Sequence, residues 1–141
     1  MPDAKRQELN HAIIEEFRAN AGVVGGQFAG TPLLLLTTKG ARTGLARTWP
    51  LGFMADADRW VVFAANGGRP NVPAWYHNLL AEPDATIEIG TETIPVRATV
   101  TEGPERADLW TRKVAEMPAL ERMQQTAPGP IPVVALVRRP A

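Results

Sequence analysis

The sequence predicts a mainly β fold with flanking helices, an α+β protein built on a small, mostly antiparallel barrel of about six strands. Three observations lead there. β-patterned runs follow one another across short turn sequences, as successive hairpins do. Three other stretches carry apolar residues at helical spacing. A length of 141 residues, 45% hydrophobic and 21% charged, suits one globular unit spanning 1–141.

Residues 4–19 read as a helix. Leu9, Ile13 and Phe17 recur at four-residue steps with Ile14 beside them, and Asp3 can cap the start. Such a stripe either docks on the domain or lies on a membrane surface or partner; docking is the commoner fate. Ala21 to Gly30 is glycine-rich loop. Thr31–Thr38 is a continuous apolar run bounded by turn residues, the pattern of a buried strand. After a loop at Lys39–Ala46, Arg47–Ala55 and Arg59–Ala65 form a hairpin around Asp56-Ala57-Asp58.

A further loop, Asn66 to Asn71, precedes a short helix. Pro73 suits its first turn, Trp75, Leu79 and Leu80 supply its packing face, and Pro83 stops it. Ala85, Ile87 and Ile89 alternate with polar residues, as do Ile94, Val96, Ala98 and Val100. Gly90-Thr91 turns one run into the other. Pro95 lacks an N–H and places the second run at an edge or bulge. Pro104 opens a helix with Ala107, Trp110, Val114 and Met117 on one face. Pro118 interrupts it, residues 119–125 resume for a turn or two, and Ile131–Val137 is the last strand.

Several chemistries are excluded by composition. There is no Cys, hence no disulfide, thiolate metal site or Cys nucleophile, and no Ser for a nucleophile elbow. No P-loop pattern occurs. His11 and His77 stand far apart without clustered ligands, so no metal site is expected. Met1 to Arg6 leads into a charged helix, and the longest aliphatic run is Leu33–Leu36. A cytoplasmic protein is therefore expected.

The formal net charge is zero, but it is unevenly distributed. Residues 17–81 hold six bases against Asp56 and Asp58, while both flanks are mildly acidic. No carboxylate lies between Glu16 and Asp56. A basic segment in a neutral chain points to a local anion site, not a nucleic-acid track. The best local candidate is Lys39-Gly40-Ala41-Arg42-Thr43-Gly44, followed by Arg47. Glycines let backbone N–H groups approach an anion, Arg42 and Arg47 offer forked donors, and Thr43 adds a hydroxyl. Asn66-Gly67-Gly68, between a strand and a helix, is a second loop of this kind, with Trp75 and Tyr76 beyond it to frame a planar ligand.

Taken in order, Thr37-Thr38-Lys39-Gly40-Ala41-Arg42-Thr43-Gly44, Arg47, Pro50-Leu51, Ala64-Ala65-Asn66-Gly67-Gly68, Asn71, Pro73-Ala74-Trp75-Tyr76-His77-Asn78-Leu79 and Glu82-Pro83 resemble the deazaflavin-dependent nitroreductase/quinone reductase family. Glu16 to Gly26 and the Leu33–Leu36 run are similar too, so the likeness covers roughly residues 12–137. The resemblance implies a split β-barrel of the flavin-reductase type and reduced coenzyme F420 as cofactor. It assigns the cofactor's phosphate and acidic tail to Arg42, Thr43 and Arg47, helped by Lys39 and Gly44. Pro50, Asn66, Gly67, Gly68, Ala74, Trp75 and Asn78 match positions near the deazaflavin ring.

The implied reaction is hydride transfer from the reduced cofactor to a quinone, nitro-heterocycle or activated conjugated double bond. The proton could come from Tyr76, from His77 or from solvent. Some relatives carry a lysine after an Ala-Ala-Ser stretch where this chain has Asn66 and Gly67. They also place several tyrosines over the substrate; here Gly52 and residues 118–123 stand there, and Tyr76 is the only tyrosine. A more apolar substrate pocket of Trp49, Phe53, Tyr76, Trp110 and Met123 is therefore expected. The alternatives on the same barrel are an FMN-dependent reductase and a non-enzymatic flavin or tetrapyrrole carrier. Nucleic acid is not an expected partner. Monomer and homodimer both remain open, as does peripheral membrane contact through the first helix.

Overall fold

Among the described residues, seven strands form a single antiparallel sheet in the order β2-β1-β5-β6-β7-β4-β3. They are β1 (Leu33–Lys39), β2 (Ala46–Gly52), β3 (Met54–Asp56), β4 (Arg59–Phe63), β5 (Asp84–Ile89), β6 (Glu92–Val100) and β7 (Val133–Arg138). Four helices flank them among the described residues: α1 (Asp3–Ala19), α2 (Ala74–Ala81), α3 (Gly103–Glu116) and α4 (Ala119–Thr126). The computed structural model describes residues 3–25, 32–65, 72–127 and 129–140. Thr31, the expected strand start, lies outside these residues, and the Asp3 cap lies outside the described side chains.

β1 explains why the apolar run is continuous. Leu34 and Leu36 face the main core with Val62, Trp75, Leu79, Ile87, Val96, Val134 and Leu136. Leu33 and Leu35 face the other way, against Ile14, Phe17 and Val24. A strand covered on both faces has no polar alternation to show. α1 therefore docks on the outer face of β1 through Ile13, Ile14 and Phe17. Arg18 pins it there with two hydrogen bonds to the Glu88 carboxylate, 3.0 and 2.7 Å long. Leu9 does not join that stripe and remains 46% exposed, because the docked face has rotated past it.

The expected single strand at Arg47–Ala55 is two strands meeting at Phe53. β2 pairs with β1, from Lys39↔Ala46 to Leu33↔Gly52, while β3 pairs with β4. The first loop thus closes a β1–β2 hairpin, and only Met54–Asp56 belongs to the hairpin with β4. β2 and β3 are the two outer members of the sheet order yet are neighbours in sequence. The bend at Phe53 carries the chain from one edge of the curled sheet to the other, which raises the strand count from six to seven.

Pro95 does not put β6 at an edge, since β6 lies between β5 and β7. Its position opposite Arg139, one residue past the end of β7, makes it tolerable. The Pro95 carbonyl accepts from the Arg139 N–H at 2.9 Å, and the missing donor removes one bond at the end of a ladder. On α2, Trp75 and Leu79 pack inward while Leu80 is exposed. Pro73 is the residue capping α2, one position before its first turn. On α3 the buried anchor is Leu109, and Ala107 is exposed. Leu109 seats among Met54, Val61 and Val133, and Trp110 of the expected stripe packs partly buried against the same cluster. Residues 119–126 form a helix of their own, α4.

Candidate functional site

The six-residue connection between β1 and β2 is held in one shape by its own backbone. The Gly40 N–H donates to the Leu45 carbonyl at 2.8 Å, and the Gly44 N–H donates to the Gly40 carbonyl at 2.9 Å. A side chain on Gly40 would bring its first carbon 2.7 Å from Thr43 Oγ1 and 3.3 Å from the Leu45 carbonyl oxygen. Gly44 has φ of +72°, where L residues are disfavoured. The two glycines therefore have separate reasons: close approach at one, left-handed backbone at the other. Thr43 Oγ1 accepts from the Leu45 N–H at 3.2 Å, which leaves its proton free to be donated outward. The N–H groups of Arg42 and Thr43 have no partner among the described residues.

Charge at this loop is unbalanced. Most other described arginines are engaged: Arg18, Arg59, Arg97, Arg112 and Arg139 with carboxylates, and Arg106 with the Ile131 carbonyl. Lys39, Arg42 and Arg47 have no ion-pair partner among the described residues. Three uncompensated cations beside unpaired backbone donors form a site that attracts an anion.

Beside the loop lies a cavity of about 520 Å³ lined by Gly40, Ala41, Arg42, Thr43, Arg47, Trp49, Ala74, His77 and Asn78. Each element contributes through its own periodicity. Arg47 and Trp49 are two apart on β2 and share a face. They stand opposite Thr38 and Leu36, so that face continues into the main core. Ala74, His77 and Asn78 lie on one face of α2 at helical spacing. The cavity thus has a cationic end from the loop, an aromatic wall from Trp49 and a helical wall from α2. Asn78 joins the two walls: its Nδ2 donates to Thr38 Oγ1, and its Oδ1 accepts from the Ala41 N–H, both at 3.0 Å.

Of the residues expected at the cofactor, Arg42, Thr43, Arg47, Ala74 and Asn78 line this cavity. Lys39, Gly44 and Pro50 border it in sequence without lining it, and Trp75 is buried in the main core. Asn66, Gly67 and Gly68 lie outside the described residues. The expected substrate pocket is not gathered in one place. Trp49 lines the cavity, and Phe53 and Tyr76 pack on the main core. Trp110 belongs to another cluster, 6.5 Å from the Phe63 ring and under the Arg106 guanidinium. Met123 is half-buried on α4. Of the two candidate proton donors, His77 lines the cavity and Tyr76 does not. Gly40 and Ala41, part of the expected loop but given no role of their own there, also line the cavity. The glycine-arginine pattern around them was the available signal.

No group of three or more potential metal ligands occurs among the described residues, and no helix there is long and apolar enough to cross a membrane.

Residues 10–138 match the F420H(2)-dependent quinone reductase family. An F420H(2)-dependent quinone reductase of Mycobacterium tuberculosis is 39% identical over 128 residues, covering 87% of this chain and 85% of the relative. The solved structure of an F420-H2 dependent reductase (FDR-A) superposes with a TM-score of 0.68 at 32% identity, over 74% of this chain and 93% of that one. A second solved structure, described as a domain-swapped dimer, has a TM-score of 0.70 at 30% identity and covers 95% and 97% of the two chains.

Proposed function

The chain belongs to the F420H(2)-dependent quinone reductase family, and from that premise we propose that it uses reduced coenzyme F420 to reduce a quinone. The observation that carries the reading is the free cationic end of the cavity. Arg42 and Arg47, without ion-pair partners among the described residues, and the N–H groups of Arg42 and Thr43, unpaired among those same residues, suit a cofactor bearing a phosphate and several carboxylates. Arginine forks bind such oxyanions through paired, charge-assisted hydrogen bonds.

The residues present fit the group. Arg42, Thr43 and Arg47 would hold the acidic tail, while Trp49 and Ala74 would border its flat ring system. When bound, the reduced deazaflavin supplies a hydride and the quinone accepts it together with a proton. The chain's own part is to bind the cofactor, orient it and limit access of water. His77 is the cavity-lining group able to carry a proton toward the acceptor. The FMN alternative finds no support among the relatives named above.

Titration of the purified protein with F420 and, in parallel, with FMN tests the reading. Tight F420 binding and weak FMN binding are expected, with F420 affinity lowered about tenfold or more in Arg42→Ala. Equal affinity of wild type and variant for F420 would remove the anion assignment. Turnover is read from loss of reduced cofactor on adding a soluble quinone.

A homodimer fits the dimeric relative at 30% identity, and light scattering on the purified protein checks it. Of the apolar stripe of α1, Ile13, Ile14 and Phe17 pack toward β1, while Leu9 remains outward among the described side chains.

A further inference from the structure

We propose that Asn78 is a positioning residue for the anion loop, acting through Thr38 and Ala41 and not through contact with the cofactor's ring. The proposal rests on the reading of residues 40–45 as the loop that holds the cofactor's acidic tail. The Asn78 side chain is 7% exposed, and both halves of its carboxamide are occupied within the protein. The amide nitrogen donates to Thr38 Oγ1, 40 residues away in sequence, and the oxygen accepts from the Ala41 N–H, 37 residues away. Thr38 is itself only 2% exposed and stands directly opposite Arg47 across the β1–β2 ladder. One carboxamide thus grips the loop at Ala41 and the strand pair at the level of Arg47.

The chemistry of the three partners makes the arrangement demanding. A buried amide needs both a donor and an acceptor to offset its desolvation, and Asn provides them in one plane. With Asn78 in place, Ala41 is fixed and the next N–H groups in the chain, those of Arg42 and Thr43, have no partner among the described residues and stand beside the cavity. The same helix lines the cavity with Ala74 and His77. Asn78 therefore sets the spacing between the helical wall and the cationic end, which a ligand spanning both would sense as affinity.

The test uses the full chain, with and without F420. In the cofactor-free protein, Asn78→Ala is expected to speed amide hydrogen exchange at Ala41 and Gly44 about tenfold, while Leu34 and Leu36 keep their protection. The Kd for F420 should rise about tenfold, with kcat at saturating F420 changed much less. Thr38→Val should move both readouts the same way and add little on top of Asn78→Ala. Unaltered Ala41 exchange in Asn78→Ala overturns the proposal. So does faster exchange with an unaltered Kd, and so does a kcat that collapses while Kd stays fixed, which would mark direct contact with the reacting group. If Asn78→Ala does not fold, Thr38→Val decides by the same two readouts. Failure of the wild type to bind F420 sinks the cofactor reading and the affinity half of this proposal; the exchange data would still decide whether Asn78 holds the loop.

Discussion

Gly40 has no room for a side chain, and that single fact constrains the whole loop. A methyl group there would press on Thr43 Oγ1 at 2.7 Å, and Thr43 is short and branched, with no flexible end to swing aside. Gly40→Ala is therefore expected to cost about 1–2 kcal/mol in stability. It should weaken F420 binding more than it lowers the melting temperature, because the displaced atoms belong to the loop. Calorimetry and cofactor titration on the same preparation would check both. Arg47→Lys keeps the charge but loses the planar fork, so it should recover only part of the affinity lost in Arg47→Ala. Equal affinity of Lys and Arg at this position would mean that charge alone matters. At this scale glycines, arginines and a threonine within nine residues already point to an anion site. The sequence could not reveal Asn78's bonds, because neither partner lies near it in the chain.

Elements were legible where one pattern dominated. The alternation of Ile94 and Val96, opposite Ile87 and Ala85, located the β5–β6 hairpin because only one face of each strand is apolar. α3 was located correctly, and Trp110 of its expected face packs on the cluster around Leu109, but Ala107 is exposed. Ala107 and Leu109 compete as anchors, and the larger side chain won the buried position beside Val61 and Val133. α1 depends on the tertiary fold for its stability, since its apolar stripe is short and its surface largely charged. Phe17 is nearly inaccessible at the centre of the contact with β1. Phe17→Ala should cost about 3 kcal/mol or more, read as a lower denaturation midpoint. A change within about 0.5 kcal/mol would mean that α1 is not held by this cluster.

The whole molecule is held where distant segments meet, and Asp56 is one such place. Its carboxylate accepts from Arg112 of α3 and from Arg59 of β4, each at 2.8 Å, and Arg59 also reaches Glu105 at 2.9 Å. The hydrogen bonds from Arg112 and then Arg59 hold the Asp56 carboxyl below its ordinary value of 3.8. A group whose folded value is depressed contributes stability in full above its unfolded value and loses it as the pH falls toward the folded one. Denaturation at pH 7 and at stepwise lower values should show this loss setting in below about pH 4. Asp56→Asn should cost about 1 kcal/mol at pH 7 and flatten that part of the acid profile. An unchanged acid profile in the variant would remove Asp56 from the account. By itself the sequence determined the strand and helix periodicities, the glycine-arginine loop and its excess charge, and the likeness to a deazaflavin family. Each of these is written in residues close together in the chain or in their order along it. The tertiary structure decided that β2 and β3 meet at Phe53 as opposite edges of one sheet, that Trp110 sits apart from Trp49, and that Asn78 ties a helix to the loop. Those outcomes depend on where separate segments of the chain pack, and packing answers to shape and burial across the molecule, which no local pattern records.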